Sequence, residues 1–409
     1  GMGESGAGGL APLVHSAEVD CGGQHMNVML LATPDITGSP FLSSNAMLSM
    51  MNEVWAFNAG EDLQRQIHST DIRNGQITRI FVSSMAPNHV LGLQGLLCTI
   101  SSANQTGDRP AGQRGLLQLV GPPGLAAYVD CVMSTSKTFI AMPVDIYEMA
   151  PGALAPHETK PEPLTRRAKL TRIQVPPDQV NPEGPTDAAH GLFAGKVNSR
   201  ELKATQDVRR QGPASTGGFE AADELTWTFA CDGGYVVTAA ACVADTPTFA
   251  FCVEEPRKVG KVDVEASDAL GIPRGKMLAQ LKAGESIEVD GVTIEPHQVV
   301  GPDRPGRKVV IVAECTAPGA ATAELAKGCD LLLYAAQNAP DPSAPMQRSC
   351  CSAEAGRFAK AVGAKGLLLT HVSTKASPAI ATRDTAVPTL EGQRDVAEYG
   401  FAAGAASAD

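Results

Sequence analysis

The sequence predicts an α/β fold in which sheets are layered with helices. Two observations carry this. In each half of the chain strand-like runs come first and helical runs follow. Hydrophobic residues make up 43% of the 409 residues, enough for a sizeable core and incompatible with wholesale disorder. Aromatic residues are only 4%, so Ala and Gly share the packing.

In order along the chain, residues 1–24 are Gly-rich and are expected to form an arm, after which 25–409 form one domain. Strand-like patterning begins at 26–31 and continues over 46–57, ending at Asn58-Ala59-Gly60. A helical stretch follows over 62–68. A buried strand is expected at 79–83, a Leu- and Gly-rich helix at 89–100 and another strand at 115–120. Gly121-Pro122-Pro123-Gly124 is a turn that opens a helix running to about residue 134. Strands with hairpin-like spacing return at 225–231, 235–239 and 249–254, followed by a helical block over 264–281. Further strands are expected at 308–312, 330–334 and 366–371, with a helix over 353–362 and a tail from about residue 375.

Between 151 and 218 prolines cluster, apolar periodicity fades and charge rises, the pattern of a long insertion. From 157 to 211 ten basic and seven acidic side chains give +3, against −11 for the whole chain. The overall acidity argues against a protein that coats nucleic acid or anionic membrane with its whole surface, while leaving room for a local basic patch.

Ten cysteines are scattered, mostly inside apolar runs, and none forms a Cys-x-x-Cys pair. They are read as buried, reduced thiols, which favours an intracellular setting, rather than as a zinc ribbon or disulfide framework. The apolar stretch 235–253 carries Asp245 and is broken by Thr246-Pro247, so it is read as two buried strands and not a membrane span. The N-terminal residues lack the basic and apolar regions of a secretory signal.

Phe57-Asn58-Ala59-Gly60-Glu61, Leu270-Gly271-Ile272-Pro273-Arg274-Gly275 and several further words of the sequence, in the right order, resemble ribonuclease Z, the tRNA 3′-processing endonuclease of the metallo-β-lactamase fold. They include Phe57-Asn58-Ala59-Gly60-Glu61-Asp62-Leu63, then Arg79-Ile80-Phe81-Val82 followed by His89-Val90-Leu91-Gly92-Leu93, and Gly121-Pro122-Pro123-Gly124-Leu125. The most specific are Leu270-Gly271-Ile272-Pro273-Arg274-Gly275, Leu281-Lys282-Ala283-Gly284-Glu285, and Val300-Gly301-Pro302 through Pro305-Gly306-Arg307-Lys308. Ala355-Gly356-Arg357-Phe358-Ala359 and Leu369-Thr370-His371-Val372-Ser373 complete the set. The resemblance implies an αββα sandwich. The Phe-Asn-x-Gly-Glu word also resembles the inactive amino-terminal half of long ribonuclease Z.

The same resemblance implies a site with two zinc ions held by His and Asp, which generate hydroxide and neutralise the scissile phosphate. Of the four positions that match the main motif, only one carries its ligand. The His-x-His-x-Asp-His motif falls on Ser84, Ala86, Asn88 and His89; the further ligands fall on Ala244, Glu314 and, near the end, Ser349. The His of a His-Glu-Ala-Thr box falls on Tyr334. Ser and Ala side chains do not hold zinc, and one His plus one Glu do not hold two ions in tetrahedral geometry. Zinc is therefore expected to be absent, with no other metal or nucleotide cofactor.

His89 and His371 are read as structural histidines, and a buried Glu314 as needing an Arg or a solvent cluster as partner. Gly60 and Gly92 are read as tight-turn or close-packing positions. Glu61, Gln64 and Arg65 are read as a solvated helix start. Three functions are left open: an inactive structural or accessory subunit of a larger assembly with protein partners, such as an RNA-processing or ribonucleoprotein one; an RNA-binding module; and a metal-dependent nuclease with a rebuilt site. For the second, Arg166, Arg167, Lys169, Arg209 and Arg210 in the insertion are the candidate phosphate contacts. A redesigned site using Cys315 is a fourth. The resemblance adds a mitochondrial location as an expectation from family distribution.

Overall fold

A computed structural model describes residues 14–19, 26–31, 45–50, 53–106, 115–150, 160–165, 170–178, 225–244, 246–289, 291–336 and 352–370. Among the described residues the strands of the first half are β1 (Val14–Val19), β2 (Met26–Leu31), β3 (Asn45–Met50), β4 (Glu53–Phe57), β5 (Ile77–Phe81), β6 (Leu117–Gly121), β7 (Val144–Met149), β8 (Glu162–Thr165) and β9 (Leu170–Val175). They make one sheet in the order β1-β2-β3-β4-β5-β6-β7-β9-β8. The second half contributes β10 (Thr226–Ala230), β11 (Val236–Ala241), β12 (Phe249–Glu254), β13 (Ile287–Val289), β14 (Val292–Ile294), β15 (Lys308–Val312), β16 (Leu331–Ala335) and β17 (Leu367–Thr370). Here β10-β11-β12-β15-β16-β17 form a second sheet and β13-β14 a separate ribbon.

Pairing is antiparallel from β1 to β4 and parallel from β4 through β5, β6 and β7 to β9. Parallel neighbours require crossovers, and those crossovers carry the helices. They are α1 (Leu63–Ile67), α2 (Pro87–Val90), α3 (Leu93–Thr106) and α4 (Leu125–Thr135) on the first sheet. After β14 and β15 come the parallel pairs β15-β16 and β16-β17. Two short helices precede β13, α5 (Val264–Ala269) and α6 (Lys276–Lys282); α7 (Ala320–Ala326) and α8 (Ser352–Val362) cross between the last strands.

Strand alternation sorts the apolar residues into layers. In β4, Trp55 and Phe57 face the second sheet while Val54 and Ala56 face the helices. In β15, Val309 and Ile311 face the first sheet while Val310 and Val312 join α7 and α8. Most of the larger aromatic side chains gather between the sheets: Phe57 stacks on Phe81 at 4.9 Å, Phe81 meets Phe251 at 5.4 Å, and Trp227 meets Phe249 edge-on at 5.2 Å. The outer layer of the second sheet packs on small residues, Ala326, Ala355 and Ala359. The architecture is helix–sheet–sheet–helix, as the resemblance implies. Residues 256–306 form an outlying module with its own small core of Ile272, Leu281, Ile287, Ile294 and Val299.

The expected 46–57 strand is two strands, β3 and β4, paired with Met50 opposite Glu53. Apolar residues crowd both strands of this hairpin, so the only local sign of the turn is Asn52-Glu53. The 89–100 helix is divided into α2 and α3 at Leu91-Gly92, and the 264–281 block into α5 and α6 around Pro273. The largest differences concern the arm and the insertion. Residues 14–19, read as part of the 1–24 arm, pair with β2. Residues 170–175, read as part of the 151–218 insertion, are the core strand β9, parallel to β7. The polar residues of β9 masked it: Arg172 donates to the buried Glu148 of β7 at 2.7 Å. Glu148 in turn accepts from Gly124 N and Ala126 N, both at 2.9 Å, at the start of α4. A carboxylate inside β7 hid that strand from periodicity as well.

Candidate functional site

The site lies where the loops after β4, β5, β11 and β15 approach one another. Backbone contacts fix it first. Asn58 adopts a left-handed φ of 65°, which Asn tolerates better than most residues. Its N–H donates to Phe81 O at 2.6 Å and its Oδ1 accepts from Ser83 N at 2.7 Å. Ser83 O accepts from Phe249 N at 2.9 Å, so the two sheets are tied by backbone at this end. Ala59 N donates to His89 O at 2.8 Å, Gly92 N donates to Ala59 O at 2.9 Å, and Gly60 N donates to Asn45 Oδ1 at 3.0 Å. A Cβ on Gly60 would overlap Asn88 O, and one on Gly92 would overlap Gly60 O. Close packing is thus the reason for both glycines.

On the second sheet, Val243 N donates to Ala317 O at 3.0 Å and Thr316 N to Val243 O at 2.8 Å. This sets the Val243-Ala244 segment beside the loop that carries Glu314.

The side chains then meet. Ser84 Oγ and His89 Nδ1 are 2.7 Å apart, and Ser84 Oγ accepts from Ala86 N at 3.2 Å. Ser84 and His89 are buried, at 3% and 0% exposure. Pro87 occupies the first turn of α2, a position that costs no hydrogen bond, and starts the helix that buries His89. Asn88 Nδ2 donates to Glu314 Oε1 at 2.6 Å across the two halves of the chain. The structure therefore brings together Ser84, Ala86, Asn88, His89 and Glu314, with Ala244 on the adjoining segment. The partner of Glu314 in this cluster is the Asn88 amide. Tyr334 is elsewhere, buried in the helix-side layer against Phe358 at 5.8 Å. Ser349 and His371 lie outside the described residues, as do Arg166, Arg167, Lys169, Arg209 and Arg210.

The chemistry of this donor set does not fit a pair of zinc ions. Its metal-type donors are one imidazole and one carboxylate, and each is engaged by a neighbouring side chain. Among the described residues no group of three or more His, Cys, Asp and Glu side chains is placed to hold a metal. Cys315 is buried beside Glu314, 2% exposed. Elsewhere burial pushes the Cys231, Cys252 and Cys329 thiols up to about 12, in keeping with unreactive packing cysteines.

Sequence reasoning missed the residues that support these positions. Asn45 and Asn58 are both fully buried and hold the backbone of the site. Asn58 stands in a quoted word; Asn45, at the start of a strand far upstream, offered no local signal.

No family model matches the chain. It is similar to the mouse zinc phosphodiesterase ELAC protein 1, 29% identical over 364 residues, covering 88% of this chain and 89% of that protein. It is 27% identical to the ribonuclease Z of Synechococcus sp. strain CC9311 over 334 residues, 81% of each chain. Among solved structures, human short-form tRNase Z (ELAC1) aligns with a TM-score of 0.48 and 20% identity over 82% of this chain and 88% of that one. With the ordered words, the sequence similarity along most of both chains and the helix–sheet–sheet–helix layering all in agreement, this chain is a homologue of ribonuclease Z built on the metallo-β-lactamase fold.

Proposed function

We propose that this homologue has lost the hydrolytic site of its relatives and serves as a structural or accessory subunit of a larger assembly, with protein partners. The observation that carries the reading is the donor set. Where the resemblance implies a dimetal cage, Ser84 engages His89 and Asn88 engages Glu314, both within hydrogen-bond distance. Ser84, Ala86 and Asn88 supply no zinc ligand, and one imidazole with one carboxylate falls short of what two zinc ions need to generate hydroxide. A retained fold with a dismantled site separates architecture from chemistry.

Metal content of the purified full chain, by mass spectrometry, beside cleavage of a tRNA precursor with added zinc or manganese, tests this. The expected result is no stoichiometric metal and no cleavage. Bound metal together with cleavage overturns the proposal and restores the enzymatic reading.

A further inference from the structure

The disagreement between the donor set and a metal pair points to what the residues build instead. We infer that Asn88 and Glu314 form a clasp across the site without metal, holding the first turn of α2 to the loop after β15. This rests on the proposed loss of the hydrolytic site and adds to it a positive role for the substituted residues.

Asn88 and Glu314 are 226 residues apart in sequence and belong to different sheets. Their hydrogen bond, 2.6 Å from an amide donor to a carboxylate oxygen, is of the strong charge-assisted kind. Each end is anchored. Asn88 sits in a helical turn between His89, whose side chain meets buried Ser84, and Pro87. Its own carbonyl packs against Gly60, where no Cβ intrudes. The Glu314 loop is held through Thr316 and Ala317 to Val243. Two anchored loops joined by one charge-assisted bond open together, so the bond couples their motions.

The experiment measures amide hydrogen exchange of the full chain by mass spectrometry in Asn88→Ala, Glu314→Ala, the double variant and Glu314→Gln, with zinc content of the same samples. Each single alanine is expected to speed exchange about tenfold in both loops, and the double variant no more than either single. Glu314→Gln keeps an acceptor oxygen and is expected to stay near wild type. Asn88→Ala that loosens only its own loop, or single effects that add in the double variant, overturns the clasp while a metal-free protein leaves the lost-site reading standing. Zinc held by the wild type and lost with Glu314 overturns both, since the carboxylate is then a ligand.

Discussion

Arg79, in β5 of the first sheet, donates through Nη2 to Asp232, in the turn between β10 and β11 of the second, at 2.8 Å. Its Nη1 donates to Glu53 at 2.7 Å, and its guanidinium lies 5.0 Å from the Trp55 ring centre. Glu53 also accepts from Thr78 Oγ1 at 2.5 Å and Trp55 Nε1 at 3.1 Å. A cation whose side chain is 3% exposed thus ties the sheets, as the Asn88–Glu314 bond does near the site.

The two Arg79 partners contribute unequally. Asp232 is 70% exposed, so its pairing is screened by water, whereas Glu53 is largely covered. Arg79→Met strands Glu53 without its cation and is expected to lower unfolding free energy by about 3–5 kcal/mol. Asp232→Asn is expected to cost less than about 1 kcal/mol. Urea unfolding of the three proteins checks both; equal losses would place the energy in the exposed pair instead.

Acid sensitivity is expected at the base of the 256–306 module. Burial alone pushes the Glu255 carboxyl up, but hydrogen bonds from the Arg307 side chain and backbone N–H outweigh it and hold the group below its ordinary value. Lys258 adds a contact at 3.2 Å. A carboxyl that ionises more readily in the folded chain stabilises it fully above the unfolded value, and that stabilisation is lost as pH falls through the lowered folded value. Glu255→Gln is therefore expected to be less stable at neutral pH, by about 3 kcal/mol, and to lose less further stability on acidification. Urea midpoints taken from about pH 7 down to about pH 3 give the comparison. Parallel curves for the two proteins would assign the acid response to other carboxyls.

Legibility in the sequence followed burial pattern. Strands such as β15 and β16, apolar on both faces, stood out, because Val309 to Val312 and Leu331 to Tyr334 serve two core layers at once. Strands that carry a buried charge did not: Glu148 in β7 and Arg172 in β9 break the apolar run, although each is satisfied by the other. The candidate site was legible in part, since Ser84, Ala86, Asn88 and His89 are local in sequence. The Asn88–Glu314 contact was not, because no sequence rule pairs residues so distant. Asn88 as a hydrogen-bond partner of Glu314 was not expected from the sequence.

Gly92 offers a test of the packing at the site. Any side chain there would overlap the Gly60 carbonyl, and the neighbouring Ala59–Gly92 hydrogen bond at 2.9 Å leaves the backbone little room to yield. Gly92→Ala is expected to destabilise the chain by about 1–3 kcal/mol, as overpacking of a core does. Gly124→Ala is a useful contrast: its Cβ meets nothing within 4 Å, so only its φ of 96° opposes the change. Thermal unfolding and exchange at His89 and Leu91 read the result. Faster local exchange only in the Gly92 variant supports packing as the cause; identical profiles would assign the cost to backbone conformation in both.

Asp178, just beyond β9, ties the end of that strand to β10. Its Oδ2 accepts from Thr228 Oγ1 at 2.8 Å and Thr226 Oγ1 at 3.1 Å, and its Oδ1 from Thr228 N at 3.1 Å. Trp227 Nε1 donates to Val175 O at 3.0 Å in the same crossing. The described residues on either side of 179–224 are therefore fastened to each other through Asp178, Val175 and the start of β10. Replacing residues 180–223 with a short Gly-Ser linker is expected to leave unfolding free energy within about 1 kcal/mol of wild type, because loop-closure entropy changes slowly with length. Asp178→Ala, which leaves Thr228 N without its acceptor, is expected to cost about 1–3 kcal/mol. Urea unfolding decides both, and a shortened chain that fails to fold would mean the stretch is integral to the domain. The shortened protein also lacks Arg209 and Arg210, so comparing its tRNA binding with that of the full chain across salt concentrations tests whether those arginines hold phosphate.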